Sequence, residues 1–214
     1  MSLSSSIKPP LDTSALVRYF GATAFQWGGI VTFLAASQRY ALPRLPAPVA
    51  KGAVAAFWAF MALRSRVFSP LNNARPGRDA ERMVQVERRR PSWMPPPKAF
   101  PFIWMSIAGL RCISSTMVWE ACGQRLVCAP LAAMALHLSV GDTWNTVNNV
   151  EKRLGAAVPG VFCVWLSLAT TCVLYHRADS AAALVLLPSL CWITVANFLV
   201  RSIWSLNGKE PLYP

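Results

Sequence analysis

Arg88, Arg89 and Arg90 are followed at once by a tryptophan set among four prolines, in the run RRRPSWMPPPKAF at residues 88–100. Guanidinium groups grip carboxylates through paired hydrogen bonds, and an indole offers a flat apolar face. Such a basic cluster suits contact with an anionic lipid or ligand. Pro95 to Pro97 cannot continue a helix but can hold a stiff, extended segment up to the point where the next helix begins. Trp93 is thereby presented at a defined place, either as an anchor in the membrane interface or folded back over the protein. A second pattern is HLSVGDTWNTVNN at 137–149. His137, Gly141, Trp144, Asn145 and Asn148 fall at i, i+4, i+7, i+8 and i+11, on one face of a helix. Such a stripe lines a cavity or forms a tight helix contact through Gly141, and the spacing leaves both open. Trp104 lies on the same side of the chain as Trp93, Trp144 and Trp204.

Ionisable side chains add to this list because they stand in otherwise apolar stretches, where a charge is costly and asks for a partner. Asp142 and Arg201 come within about two turns of the same end of their helices at 1.5 Å per residue, and are candidates to pair. Arg111 lies deeper and has no acidic partner in the sequence; it snorkels, binds a ligand carboxylate or faces water. Pro188 is expected to kink the last apolar run, beside Trp192, with Asn197 and Arg201 one turn apart on one face. The six cysteines show no C-x-x-C and no histidines at ligand spacing, so neither a metal site nor a disulfide framework is expected.

The elements that must position these residues are membrane helices. Of 214 residues 54% are hydrophobic and 14% charged, against about 25% charged in a soluble domain. Six runs approach the roughly 20 residues that cross a bilayer: 14–37, 46–63, 99–119, 126–147, 156–175 and 181–204. The second is the weakest, since Lys51 must snorkel. The first starts too late and is too long for a signal peptide. The segments expected are an N-terminal part, 1–44, with an additional span; a helical bundle, 45–207, with a basic, proline-rich lid loop at 64–98; and a short tail, 208–214. Nine of the 21 basic residues sit in that loop, and six spans put 14 of them on its side against 5 on the other. The loop and both termini are therefore expected on the cytosolic side or its organellar equivalent. The net charge of +12 reads as a topology signal or an anionic lipid or ligand contact. It does not read as nucleic-acid binding, because no recognition module accompanies it. The other connections are short, which makes successive spans antiparallel neighbours in a bundle.

In order along the chain, RPSWMPPPKAFPFIW, GDTWN and LLPSLCWITVANFLVRSIWSLN resemble the translocator protein, or tryptophan-rich sensory protein, family (TspO/MBR) from about Arg90 to Asn207. The first resembles the family's Pro-x-Trp-x-Pro-Pro entry to its second helix, the second its tryptophan-rich fourth-helix motif, and the third its fifth helix. The resemblance implies an all-α, five-helix membrane bundle, often dimeric. Its pocket opens under the loop between the first two helices and takes porphyrins, and in animal members sterols and synthetic drugs. Carried over, Trp93, Pro95 and Pro96 belong to the capping loop, Trp104 faces it, and Trp144 and Trp192 belong to the pocket wall. The proline-rich stretch is then a stiff lid. There are departures: Gly141 replaces an asparagine, Asp142 a tryptophan and Val200 an asparagine, while Asn145, Asn148 and Asn197 stand nearby. Arg201 replaces the tyrosine of the sterol motif, so poor sterol recognition is expected.

The function expected is a multi-pass protein of an organellar membrane that binds a tetrapyrrole, protoporphyrin IX or haem, for transport or sensing. It requires no cofactor. Arg111, Arg201 or Arg88 to Arg90 are candidates for the propionates, with His137 on the pocket stripe. A light-dependent porphyrin-degrading enzyme is a second reading, in which Trp144 is a redox-active or quenching side chain; no set of nucleophile, base and orienting group is present. A third is an accessory subunit of a larger membrane complex, packed through Gly21, Gly28 and Gly29. Expected partners are the lipid bilayer, a small hydrophobic ligand, and a second copy or a membrane complex.

Overall fold

A computed structural model of the chain describes residues 12–72 and 88–212. Lys8, and Arg75, Arg78 and Arg82 of the basic loop, which count among the basic residues expected on the loop's side, lie outside those residues. Among the described residues six α-helices form the fold: α1 (Thr13–Ala36), α2 (Ala47–Arg64), α3 (Ala99–Ala121), α4 (Ala129–Asn145), α5 (Leu154–Ala178) and α6 (Ser180–Leu206). They coincide with the six expected spans to within a few residues at each end. By length and composition α3, α5 and α6 are each long and apolar enough to cross a membrane.

The helix boundaries follow local chemistry. Asp12 caps α1 by accepting from Ala15 N at 2.9 Å and from Ser14 Oγ at 2.7 Å. The Ala15 bond, then the Ser14 and Arg153 bonds, hold its carboxyl at about 2. Asp179 caps α6 in the same way through Ala181 N at 2.9 Å, and as the single residue between α5 and α6 it makes their hairpin tight. Pro48 and Pro130 sit in the first turns of α2 and α4, where a missing N–H costs nothing. The proline-rich stretch before α3 is turned rather than extended: Met94 N bonds Pro91 O at 3.1 Å, and Ala99 N bonds Pro96 O at 2.8 Å. Proline removes donors but leaves carbonyls, and here those carbonyls accept the bonds that close the turn and start the helix.

The helices close into a ring in the order α2, α3, α6, α5, α4, α1, with Phe33 of α1 stacked on Phe57 of α2 to complete it. The main core is Trp58, Trp119, Leu131, Met134, Leu168, Tyr175 and Leu186, contributed by five helices. In lipid such a core is held by close packing and internal polar contacts rather than by release of water. Ser115 Oγ and Tyr175 OH meet at 2.8 Å between α3 and α5. Between α5 and α6, Trp165 Nε1 donates to Thr194 Oγ1 at 2.9 Å.

α4 does not stop at Asn145 but widens into a π turn at Thr146–Val150, closed by Glu151 N to Thr146 O at 2.9 Å. A π turn adds one residue per turn and rotates the face that the helix presents. The chain then reverses through Lys152, at φ 58°.

Candidate functional site

A cleft of about 450 Å³ opens between the ends of α3, α4 and α6, beneath the segment that leads into α3. Its wall is aromatic, with Phe100 and Trp104 from α3, Trp144 from α4 and Trp192 from α6. Phe100 and Trp192 meet edge to face, ring centroids 6.1 Å apart. Asn145, Asn148 and Asn149 supply amides, and Arg66, Arg88, Arg90 and Lys152 supply four positive charges. No carboxylate lines it among the described residues.

Each wall residue is placed by a definite contact. Trp144 donates from Nε1 to Ala157 O at 3.0 Å and lies over Gly160, where a Cβ would come 2.9 Å from Cδ1 of the indole. The π turn brings Asn148, Asn149 and Val150, three residues in succession, to the cleft. Arg88 donates to Lys152 O at 3.0 Å; burial, partly offset by Glu210, holds its guanidinium below the usual arginine range. Asn207, just past α6, clasps Arg89 by its backbone, accepting from Arg89 N at 3.0 Å and donating to Arg89 O at 2.9 Å. Further along the tail, Glu210 accepts from Leu154 N at 3.0 Å and from Trp204 Nε1 at 2.6 Å through its carbonyl.

Removing the clasp has a direct readout. Asn207→Leu deletes both bonds to Arg89 and is expected to raise tryptic cleavage after Arg88 and Arg89 several-fold. Mapping the cut sites by mass spectrometry checks this, since exposed, untied backbone is what a protease takes.

Of the residues singled out in the sequence, Arg88, Arg90, Trp104, Trp144, Asn145, Asn148, Trp192 and Val200 come together in the cleft. Several others stand elsewhere. Trp93 is 49% exposed on the outside, Pro96 is exposed and Pro95 half-buried beside it, and Met94 of the same segment faces the cleft instead. Asn197 ties α6 to itself and to α5, donating to Ile193 O at 2.9 Å and Val161 O at 3.5 Å. Arg201 is on the exposed face of α6 and does not meet Asp142. The Asp142 carboxylate accepts from Gln26 Nε2 at 2.8 Å and faces Arg66 Nε at 3.6 Å. α5 stands between α4 and α6 along the ring, so α1 and the turn after α2 supply the partners that α6 does not.

Arg111 and His137 also lie away from the cleft, packed against each other, with Nη2 of the arginine 2.8 Å from Nε2 of the imidazole. A guanidinium has donors alone, so Nε2 accepts and the proton is on Nδ1. That proton is donated to Ser167 Oγ at 3.0 Å, and Ser167 donates to Val164 O at 2.8 Å. His137 is 1% exposed, and Arg111 Nε is buried without a hydrogen-bond partner. Gly141 makes no tight contact, since a Cβ there would have open space, as it would at Gly21, Gly28 and Gly29. The close approaches fall at Gly155, where a Cβ would run into the Pro211 carbonyl, and at Gly160. Arg66, Lys152, Asn149 and Phe100 of the cleft are additions that spacing did not single out; the one signal for Arg66 was that Asp142, a carboxylate in an apolar run, needed a cation.

Comparison with known proteins places this arrangement. The TspO/MBR family model matches residues 67–205, which hold the segment before α3, all of α3 to α5 and all but the last residue of α6. Protein CrtK of Rhodobacter capsulatus is 33% identical over 126 residues, 58% of this chain and 79% of the relative. The tryptophan-rich sensory protein of Cereibacter sphaeroides is 31% identical over 124 residues, 57% of this chain and 75% of its own length. Translocator protein 2 of Mus musculus is 26% identical over 121 residues, 55% and 74% of the two chains. With the match covering well over half of its length and its helices closing into the expected bundle, the chain belongs to the TspO/MBR family of membrane proteins.

Proposed function

We propose that the protein binds a tetrapyrrole in this cleft, as a carrier or a sensor. The observation that carries the reading is the pairing of four aromatic rings with four cations and, among the described residues, no facing carboxylate. A flat macrocycle gains contact with indole faces, and its propionates gain charge-assisted hydrogen bonds at the rim. A cleft of about 450 Å³ is within the range of ligand sites, about 300–1,000 Å³. The names of the relatives, a translocator protein and a sensory protein, support transport or sensing as the setting.

Titrating the detergent-purified protein with protoporphyrin IX, followed by tryptophan fluorescence, tests the reading. Saturable quenching is expected, and the Arg88→Gln, Lys152→Gln double variant is expected to bind at least about tenfold more weakly, since charge-assisted bonds are each worth about 1.5–3 kcal/mol. Quenching that does not saturate, or that ignores the loss of both charges, sinks the proposal. Running the titration in the dark and under light separates binding from degradation of the bound molecule.

A further inference from the structure

Two chains of contact run from α1 to the basic rim. On one side Gln26, 1% exposed, donates to Asp142 Oδ2 at 2.8 Å and to Ser65 O at 3.0 Å. Asp142 faces Arg66, the residue after Ser65, which lines the cleft. On the other side Glu151 accepts from Arg18 at 2.7 Å and from Tyr19 OH, and faces Arg153 Nε at 3.6 Å. Arg153 in turn donates to Asp12 at 3.1 Å. Between these two anchored residues stands Lys152, at φ 58°, a conformation that non-glycine residues leave unless their surroundings hold them. Its carbonyl receives Arg88 and the residue lines the cleft. Three of the four rim cations are therefore reached from α1, which itself contributes nothing to the lining and precedes the residues that match the family.

We propose that α1 is a positioning element for the cleft, setting Arg66 through Gln26 and Asp142, and Lys152 and Arg88 through Arg18, Tyr19 and Glu151. The inference rests on the reading of the cleft as a site for a carboxylated macrocycle. Asp142 is then a positioning residue, as is Glu151. Their charges act on the acid end of the ligand by fixing the angle and distance of the cations that receive it, and a displaced donor loses much of a charge-assisted bond. A helix that merely fastens to the bundle would influence stability and leave recognition of the acid groups alone.

The test uses the full chain and the near-isosteric variants Glu151→Gln and Asp142→Asn. Tyr19→Phe, which deletes one donor and no charge, is a milder version should either fail to fold. Two measurements are made on each. The first is hydrogen exchange of peptides spanning 88–94 and 151–155 in the ligand-free protein, expected to quicken in Glu151→Gln. The second is affinity for protoporphyrin IX and for its dimethyl ester, which has the same ring and no carboxylates. The acid-to-ester preference is expected to fall about fivefold in each variant, roughly the loss of half a charge-assisted bond, with ester affinity unchanged. Equal weakening of both ligands, or an unchanged preference, overturns the proposal and leaves the binding reading standing. If the unaltered protein binds neither ligand, the binding reading fails and the specificity claim with it. The exchange measurement still shows whether α1 holds the rim, and unchanged exchange overturns that as well.

Discussion

Replacing His137 by leucine is expected to lower stability by about 3 kcal/mol. Nη2 of Arg111 donates to His137, and His137 passes a hydrogen bond to Ser167. Leucine cuts that line in the middle and leaves a guanidinium with a second nitrogen unsatisfied, since Nε already has no partner. A buried charge stripped of its partner costs about 3–5 kcal/mol, and a neutral acceptor such as imidazole puts the value at the lower end. Arg111→Met in the same background removes the stranded charge, so the double variant is expected to recover most of the loss. Unfolding in mixed micelles with a rising fraction of denaturing detergent measures all four proteins of the cycle. Additive losses in the double variant would mean that the two side chains stabilise the bundle independently and that the contact between them matters little.

The second large effect is expected at Gly160. A Cβ there would sit 2.9 Å from Trp144 Cδ1 and 3.8 Å from its Nε1, so Gly160→Val drives two methyl groups into an indole that forms the cleft wall. Overfilling a packed contact costs about 1–3 kcal/mol, and the bond from Trp144 to Ala157 O adds about 1 kcal/mol when it breaks. The displaced ring moves into the cleft, and protoporphyrin binding is expected to disappear together with about 3 kcal/mol of stability. Trp144→Leu added to Gly160→Val restores the room and is expected to return the stability but not the binding. A Gly160→Val protein as stable as the parent would show that the indole has space to swing.

What the sequence disclosed and what it withheld divide along one physical line. Hydropathy and the prolines located the six helices, because crossing a bilayer or starting a helix is a property of a contiguous stretch. Trp104, Trp144 and Trp192 were legible as a group through the motifs that surround them. His137 was grouped with Trp144 by its seven-residue spacing, yet seven residues rise about 10 Å along a helix, which carries it out of the cleft and against Arg111. Spacing reports a face and not a depth. The π turn hid Asn149, because consecutive residues on one face contradict an α-helical period. Pairings between helices were the least legible. Asp142 found Arg66 and Gln26 rather than Arg201, since ring order decides which helix ends are neighbours. Which of two glycines marks a close approach was equally hidden: Gly141 faces open space and Gly160 faces an indole.

The clasp of Asn207 on the Arg89 backbone bears on time rather than on affinity. It ties down the segment under which the cleft opens. On the proposed binding reading, a molecule that enters beneath residues 88–94 would break two hydrogen bonds on the way in and let them re-form behind it. Bonds present both before and after binding cancel from the equilibrium and remain in the barrier, so they slow entry and exit by the same factor. On that reading the side chains of the wall and rim would govern how tightly a ligand is held, and one asparagine at the end of α6 how long the exchange takes.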